Sequence, residues 1–449
     1  MKQNDEPKPA TVAAAPQQAG ETRDPWWWVE RSVWTERMLT RLTAGEPANR
    51  VWFRLVDKTY APANLASAFE AVWENGGSAG ADAQTVTHFA RHADAELARL
   101  HEQLRDGTYR PQPVRRVWIP KPGSTEQRPL GIPAVRDRIA QAALRHVLEP
   151  IFETEFAEHS YGFRPGRGAK DALRRVDTLL KAGRYWVVDA DLKSYFDTIP
   201  HERLLALVKA RVADGRVLAL VERFLRAGVL EADAGWQPTE CGTPQGGVIS
   251  PLLANLYLDP FDHQMARAGW ELVRYADDFV LLCRTEAEAQ AALGQVRAWV
   301  TEAGLTLHPE KTRIVNASLP GGFDFLGYHF ERGQRWPREK SLKKLKEQVR
   351  AKTSRMEGRS LKEIVADVNR TLRGWYAYFQ HSKPNTFDTV DGYVRRRLRS
   401  LLEKRRGRTR QGLGASQQRW PNKWFADRGL LSLAAAHEWT RIIVKLRTH

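Results

Sequence analysis

Leu272–Cys283 reads LVRYADDFVLLC, two short runs of aliphatic, aromatic and β-branched residues separated by Ala276-Asp277-Asp278. Such runs around a small acidic break predict a strand, a tight turn and a second strand, with two carboxylates at the tip. Another run of this kind, YWVVDAD (Tyr185–Asp191), lies upstream and also ends in acid, placing Asp191 86 residues before Asp277. An isolated Asp-Asp pair is most often a surface turn in which the side chains bond their own backbone. Here the acids are embedded in apolar strands, and carboxylates gathered beside a buried sheet repel one another unless a cation offsets them. Asp191, Asp277 and Asp278 are therefore a candidate hard-oxygen site for Mg²⁺, which shares octahedral positions between carboxylates, water and phosphates. Two such ions about 3.5–4 Å apart would clamp the attacking and leaving oxygens of an in-line phosphoryl displacement.

Outward from this centre, helices and strands alternate. Trp26–Leu100 has helical spacing broken at Asn75–Asp82 (NGGSAGAD), and Val114–Ile119 with Pro129–Ile132 reads as the two arms of a hairpin. Arg136–Phe156, Ala169–Ala182, Glu202–Ala213, Val217–Leu225, Ser250–Ala268 and Glu286–Ala303 carry the three-and-four spacing of helices. LTLHPEKTRIVNAS (Leu305–Ser318) and FDFLGYHF (Phe323–Phe330) supply further short strands. From Lys340 the texture is helical and basic, with 21 Lys and Arg against 7 Asp and Glu over 340–410. The whole chain of 449 residues carries a net charge of +17, which favours polyanionic partners, nucleic acid first. Its 42% apolar content can bury a substantial core. Two cysteines, Cys241 and Cys283, are too few for a disulfide framework or a structural zinc site and point to a reducing compartment, the cytoplasm. No run approaches the roughly 20 apolar residues that cross a bilayer, so no membrane partner is expected. Residues 1–25, rich in Ala, Pro, Gln and charge, read as a disordered leader.

RPLGIPAVRDRIAQAAL, DADLKSYFDTIPH, GTPQGGVISPLLANLYLDPFD and YADD, in that order along the chain, resemble a reverse transcriptase, and more closely the reverse transcriptase/maturase encoded by bacterial group II introns. SYGFRPGRGAKDAL (Ser160–Leu173), FDFLGYHF and the maturase-like LRGWYAYFQHS (Leu372–Ser382) extend the likeness from about Trp34 to the C-terminus. The resemblance implies an α+β fold: a right-hand polymerase of fingers, palm and thumb with an antiparallel palm sheet, then an α-helical maturase domain. The implied boundaries are fingers and palm at 26–335 and helical thumb and maturase domain at 336–449, with no Cys- or His-rich HNH endonuclease extension.

By the same resemblance, Asp191, Asp277 and Asp278 are the catalytic aspartates holding two Mg²⁺ ions. Phe196 is the sugar gate whose ring excludes a 2′-OH, unless it is simply a core phenylalanine. Lys121 and Arg128, on opposite arms of the hairpin, would hold the incoming triphosphate of a dNTP, and Gln245 in PQGG lies beside it. Gly246 and Gly247 carry no side chain to keep backbone from a base pair. Asp189 lies farther back on the strand of Asp191 and Asp197 reads as a turn residue, so neither is counted as a ligand. His201, His308 and His329 have no ligand-spaced partners and read as structural. The upstream loop departs from the family's Gly-Val-Asp-Gly pattern, with Gly80-Ala81-Asp82-Ala83 in its place.

The basic helices carry the second half of the implied function. Arg395, Arg396, Arg397, Arg399, Lys404, Arg405 and Arg406 are candidates for gripping the group II intron RNA, since so much unbalanced charge otherwise repels itself. Trp375, Tyr376, Tyr378 and Phe379 suit a helix-face core better than a stacking surface, and Trp26, Trp27 and Trp28 read mainly as pinning an N-terminal helix to the body. The expected partners are intron RNA, an RNA template with a DNA primer, dNTPs and target DNA. Two rivals remain open from sequence: a domesticated reverse transcriptase serving phage defence or a CRISPR system, and an RNA-binding splicing cofactor with a vestigial polymerase.

Overall fold

The computed structural model describes residues 24–43, 51–120, 127–354, 358–407 and 413–447. Lys121 and residues 1–23 of the expected leader lie outside the described residues. Eleven strands are present among the described residues: β1 (Val114–Pro120), β2 (Gln127–Ile132), β3 (Trp186–Asp191), β4 (Val229–Glu231), β5 (Gly235–Gln237), β6 (Leu272–Tyr275), β7 (Asp278–Cys283), β8 (Arg313–Asn316), β9 (Phe323–Phe325), β10 (Tyr328–Glu331) and β11 (Gln334–Pro337). They form three sheets, in the orders β2-β1-β4-β5, β6-β7-β3-β8 and β11-β10-β9.

The central sheet is antiparallel throughout and has two buried faces. Because side chains alternate across a strand, Val188 and Ala190 of β3 with Phe279 and Leu281 of β7 enter one core, formed with the helices Val135–Glu153, Ser250–Arg267 and Glu286–Glu302. Val187, Val280 and Leu282 enter a second core with Phe323, Phe325, Tyr328 and Phe330. This double burial explains why the strands read as mostly apolar runs, interrupted by Arg274 in β6 and by Asp189 and Asp191 toward the end of β3. The fingers hairpin β1–β2 is antiparallel as its sequence suggests. Its sheet is extended by β4 and β5, which sequence reading missed because each has three residues, and β4 pairs with β1 in parallel.

The C-terminal helices Glu339–Lys352, Leu361–Phe379 and Asn385–Arg405 close a third core around Val349, Val368, Leu372, Phe387, Leu398 and Trp420. Ser360 caps the second of these helices by accepting from the Glu363 amide at 3.2 Å, while Glu363 accepts from the Ser360 amide at 2.8 Å. Trp375 packs on both the second and third cores, and Tyr378 donates its hydroxyl to the Leu326 carbonyl at 2.7 Å. The WYAYF stripe therefore ties the helices to the β9–β10 turn. At the other end of the described chain, Trp26 and Trp28 pack on the first core as expected, although their segment is a series of turns and the first helix begins at Glu36.

The upstream loop shows a physical cost of its departure from the family pattern. Ala83 holds φ at +58°, a left-handed conformation that strains any residue with a Cβ. Replacing Ala83 with Gly is expected to raise the unfolding free energy by about 1 kcal/mol. A urea titration showing an unchanged or lower midpoint for Ala83→Gly would contradict that strain.

Candidate active site

Register and covalent neighbourhood bring the three acids together. β3 and β7 pair with Asp191 opposite Asp278, and the turn from β6 into β7 supplies Asp277. Directly opposed residues of an antiparallel pair carry Cβ atoms roughly 4.5–5.5 Å apart. The turn is made by Ala276 at φ +59°. That conformation is held from below by Arg274, the residue of LVRYADD whose importance sequence reading missed. Arg274 is fully buried and its Nε lies 2.7 and 3.0 Å from the Asp262 carboxylate oxygens. Nη2 reaches the same carboxylate at 2.5 Å, while Nη1 donates to the Ala276 carbonyl at 2.9 Å and to Asn255 Oδ1 at 3.0 Å. An arginine in an otherwise apolar strand was the available signal, because buried guanidinium needs a carboxylate partner.

The same network reaches the SYGFRPGRG loop. Asn255 Nδ2 donates to the Gly162 carbonyl at 2.7 Å, and a Cβ on Gly162 would collide with the backbone of Ala276. Tyr161 N–H donates to the Arg274 carbonyl at 2.9 Å, and Arg274 N–H donates to the His159 carbonyl at 3.0 Å. The Asp-Asp turn is thus clamped between a buried ion pair and a glycine that only a bare backbone can replace.

Electrostatically the strand ends are short of positive charge. Burial, followed by repulsion from Asp189, Asp191 and Asp277, pushes the Asp278 carboxyl up to about 7. Burial and the nearby Asp191 raise Asp277 as well. Asp189, also buried, rises to about 6 despite Arg313 at 3.2 Å. Lys311, a second residue the sequence reading did not single out, forms an ion pair with Asp191. Its loop is fastened to β3 by the His308 amide, which donates to the Asp191 carbonyl at 2.7 Å. Among the described residues no three metal-binding side chains already converge on one point. The donor set nevertheless fits a divalent cation: three hard carboxylates on adjoining backbone, two of them raised by burial and mutual repulsion, with Asp191 turned toward an ammonium.

The other sequence candidates are held by contacts of their own. Phe196 sits on the one-turn helix Tyr195–Thr198 that follows β3, half-buried, with its carbonyl accepting from the Thr243 amide at 2.6 Å. Gln245 gives its carbonyl to the Gly131 amide at 2.6 Å, tying PQGG to the end of β2, and a Cβ on Gly246 would collide with the Gly131 carbonyl. Arg128 is exposed near the distal end of β2. Asp197 forms part of the tight turn against Gly242. His201 bonds the Gly242 carbonyl at 2.7 Å and His329 bonds Asp324 at 2.7 Å, both within the fold.

A cleft of about 1070 Å³ leads from Tyr275 and Asp278 to Arg338, Lys344, Lys352 and Arg370 on the C-terminal helices. On the third of those helices the basic candidates divide. Arg397 donates to the Thr353 carbonyl at 2.8 Å, Arg399 donates to the Trp420 carbonyl at 2.9 Å, and Arg395 lies 3.7 Å from Asp391. Arg396, Lys404, Arg405 and Arg406 are exposed, with Arg405 also reaching the Arg359 carbonyl at 2.5 Å.

The family model for reverse transcriptase (RNA-dependent DNA polymerase) matches residues 119–330, and that for the group II intron maturase-specific domain matches residues 342–420. Protein YkfC of Escherichia coli K12 is 36% identical over 340 residues, covering 66% of this chain and 87% of that protein. Group II intron-encoded protein LtrA of Lactococcus lactis subsp. cremoris is 43% identical over 172 residues, which is 38% of this chain and 28% of LtrA. Among solved structures, a partial Cas6-RT-Cas1–Cas2 complex aligns over 55% of this chain and 41% of its own, with TM-score 0.36 and 26% identity.

Two outcomes test the site. Arg274→Met leaves Asp262 buried without its partner and should cost about 3–5 kcal/mol, read as a fall in the urea midpoint. Adding Asp262→Leu should recover most of that stability without restoring divalent-ion affinity, because the bond to the Ala276 carbonyl is still missing. The second outcome concerns pH. A carboxyl raised from about 4 to about 7 on folding contributes stability that is complete below about pH 4 and lost as pH rises through about 7. In chelator the wild type should therefore lose melting temperature between pH 5 and 8 more steeply than Asp278→Asn. The stabilisation given by added Mg²⁺ should grow over that interval, and a shift of equal size at both ends would count against a carboxylate metal site.

Proposed function

The chain belongs to the group II intron reverse transcriptase and maturase family, and from that premise we propose that Asp191, Asp277 and Asp278 are its catalytic centre, holding two Mg²⁺ ions. Its activity is RNA-directed DNA polymerisation, and domains of this kind use divalent metal ions. The observation that carries the assignment is the pairing of Asp191 directly opposite Asp278 at the end of a doubly buried sheet, with Asp277 in the adjoining clamped turn. What the bound ions supply is polarisation of the attacking and leaving oxygens as a primer 3′-OH displaces pyrophosphate from a dNTP.

The protein's own groups hold and orient. The three carboxylates fix the position of positive charge, and the Arg274 network keeps Asp277 and Asp278 from drifting as that charge arrives. Arg128 on β2, together with Lys121, neutralises the triphosphate, Arg through paired N–H donors and Lys as a point charge. Gln245 couples the base of that hairpin to the PQGG loop, so that movement of the fingers is felt beside the nucleotide. Phe196 is assigned the steric exclusion of a 2′-OH, which would select deoxynucleotides.

The RNA template and DNA primer are proposed to lie in the cleft that joins Asp278 to Arg338, Lys344, Lys352 and Arg370. Group II intron RNA is proposed to bind the basic C-terminal helices, chiefly through the exposed Arg396, Lys404, Arg405 and Arg406, while Arg395, Arg397 and Arg399 combine charge with packing. Binding there would stabilise the folded ribozyme for splicing, and the polymerase would copy the intron into target DNA. The site is carried by a chain in which, among the described residues, no helix is long and apolar enough to cross a membrane.

Primer extension on an RNA template with dNTPs and Mg²⁺ tests this assignment. Asp191→Asn, Asp277→Asn and Asp278→Asn should each reduce extension by on the order of 10³-fold. Binding of structured intron RNA at fixed salt should survive all three changes. Extension at the wild-type rate by any one of them would remove that residue from the centre.

A further inference from the structure

Among the described residues Phe163 is the one aromatic on left-handed backbone, and the proposed catalytic centre does not use it. It holds φ at +57° and remains 50% exposed, in the loop between the helices Val135–Glu153 and Ala169–Lys181. A bulky residue rarely occupies left-handed backbone, and it persists there only when its surroundings impose the conformation. They do so on both sides. Gly162 is pressed against the backbone of Ala276 and held by Asn255 at 2.7 Å. Arg164 donates from Nε to both Glu153 carboxylate oxygens at 3.0 Å, and from Nη1 to the carbonyls of Ala157 at 2.6 Å and Ser160 at 2.9 Å.

Between these two anchors the Phe163 ring meets Phe196 edge-on, with centroids 6.4 Å apart and planes at 85°. Phe196 also meets its neighbour Tyr195 at 5.6 Å and 68°. The Tyr195 hydroxyl is itself fixed, donating to the Ala254 carbonyl at 2.5 Å. The Phe196 ring therefore contacts both a buried, hydrogen-bonded tyrosine and an exposed phenylalanine whose position is bound to the catalytic turn. Steric exclusion of a hydroxyl works only if the excluding ring does not swing aside, and a half-buried ring swings unless a neighbour blocks it.

We propose that Phe163 is a positioning residue for sugar discrimination, setting the plane of the Phe196 ring from a strained backbone locked to the Asp-Asp turn. The inference rests on Phe196 as the residue that meets the sugar. Because Gly162 and Ala276 are in backbone contact, the same lock places the excluding ring in fixed relation to Asp277 and Asp278.

The test compares kcat/KM for a dNTP and the matching rNTP, on one primer and template, for the full chain and four variants. Phe163→Ala and Phe163→Gly should each lower the dNTP-to-rNTP ratio by about three- to tenfold, the value of one aromatic edge contact. Phe163→Tyr, which keeps the ring, should retain the wild-type ratio. Phe163→Gly should melt above Phe163→Ala, because glycine adopts this backbone without strain, and that ordering shows that lost discrimination is not lost folding. Phe196→Ala calibrates the reading on which the inference rests. If Phe196→Ala leaves the ratio unchanged, the sugar-gate reading fails and the inference with it. If Phe196→Ala lowers the ratio while Phe163→Ala and Phe163→Gly do not, the inference alone is overturned. A change confined to affinity for primer and template would likewise overturn it, since that would make Phe163 a base-stacking surface.

Discussion

The buried pair of Arg274 and Asp262 is the constraint on which the acidic end of the central sheet depends. A guanidinium removed from water is costly unless a carboxylate meets it with good geometry and its remaining protons are satisfied. Here Asp262 takes one edge, and the Ala276 carbonyl and Asn255 take the Nη1 protons. The requirement of one buried charge thereby fixes a turn in the left-handed region, and the turn in turn fixes two acids. Asn255 passes the same constraint to Gly162, so two loops far apart in sequence, SYGFRPGRG and YADD, behave as one unit.

Above that foundation the site is an unbalanced one. Asp189, Asp277 and Asp278 are all raised by burial, and each is raised further by neighbouring acids. A fold tolerates such repulsion where a cation repays it, and Lys311 and Arg313 supply part of that charge from one short stretch beside β3. The arrangement favours an incoming divalent ion for the same reason that it destabilises the bare site: charge is held in place by backbone that cannot relax away.

The basic C-terminal helices illustrate how charge and packing share residues. Arg397 and Arg399 donate to backbone carbonyls of neighbouring segments, and Arg399 also lies over the Phe425 ring. Their guanidinium groups are thereby partly committed within the fold. A count of arginines in sequence overstates the cations free to meet phosphate. Arg396, Lys404 and Arg406 remain on the exposed side, and the cleft from Asp278 adds Arg338 and Lys344, while Lys352 and Arg370, which also line it, pair with Asp367 at 2.7 and 3.2 Å.

The sequence alone determined the central sheet, because doubly buried strands must be nearly all apolar and LVRYADDFVLLC and YWVVDAD meet that demand except at their ends. It also determined the helices, through spacing, and it singled out Asp191, Asp277 and Asp278, which the pairing of β3 with β7 brings to one end of that sheet. The three-residue strands β4 and β5 were not legible, since so short a segment carries no period and owes its pairing to β1. Nor were the partners of Arg274, the approach of Lys311 to Asp191, or the contact of Phe163 with Phe196, all of which join residues whose separation in sequence carries no signal. Local pattern is set by which face of a strand or helix is buried, and that is written residue by residue. Which charge meets which, and which strained backbone is held in place, follows only when distant segments are packed against one another, so the tertiary structure alone decided them.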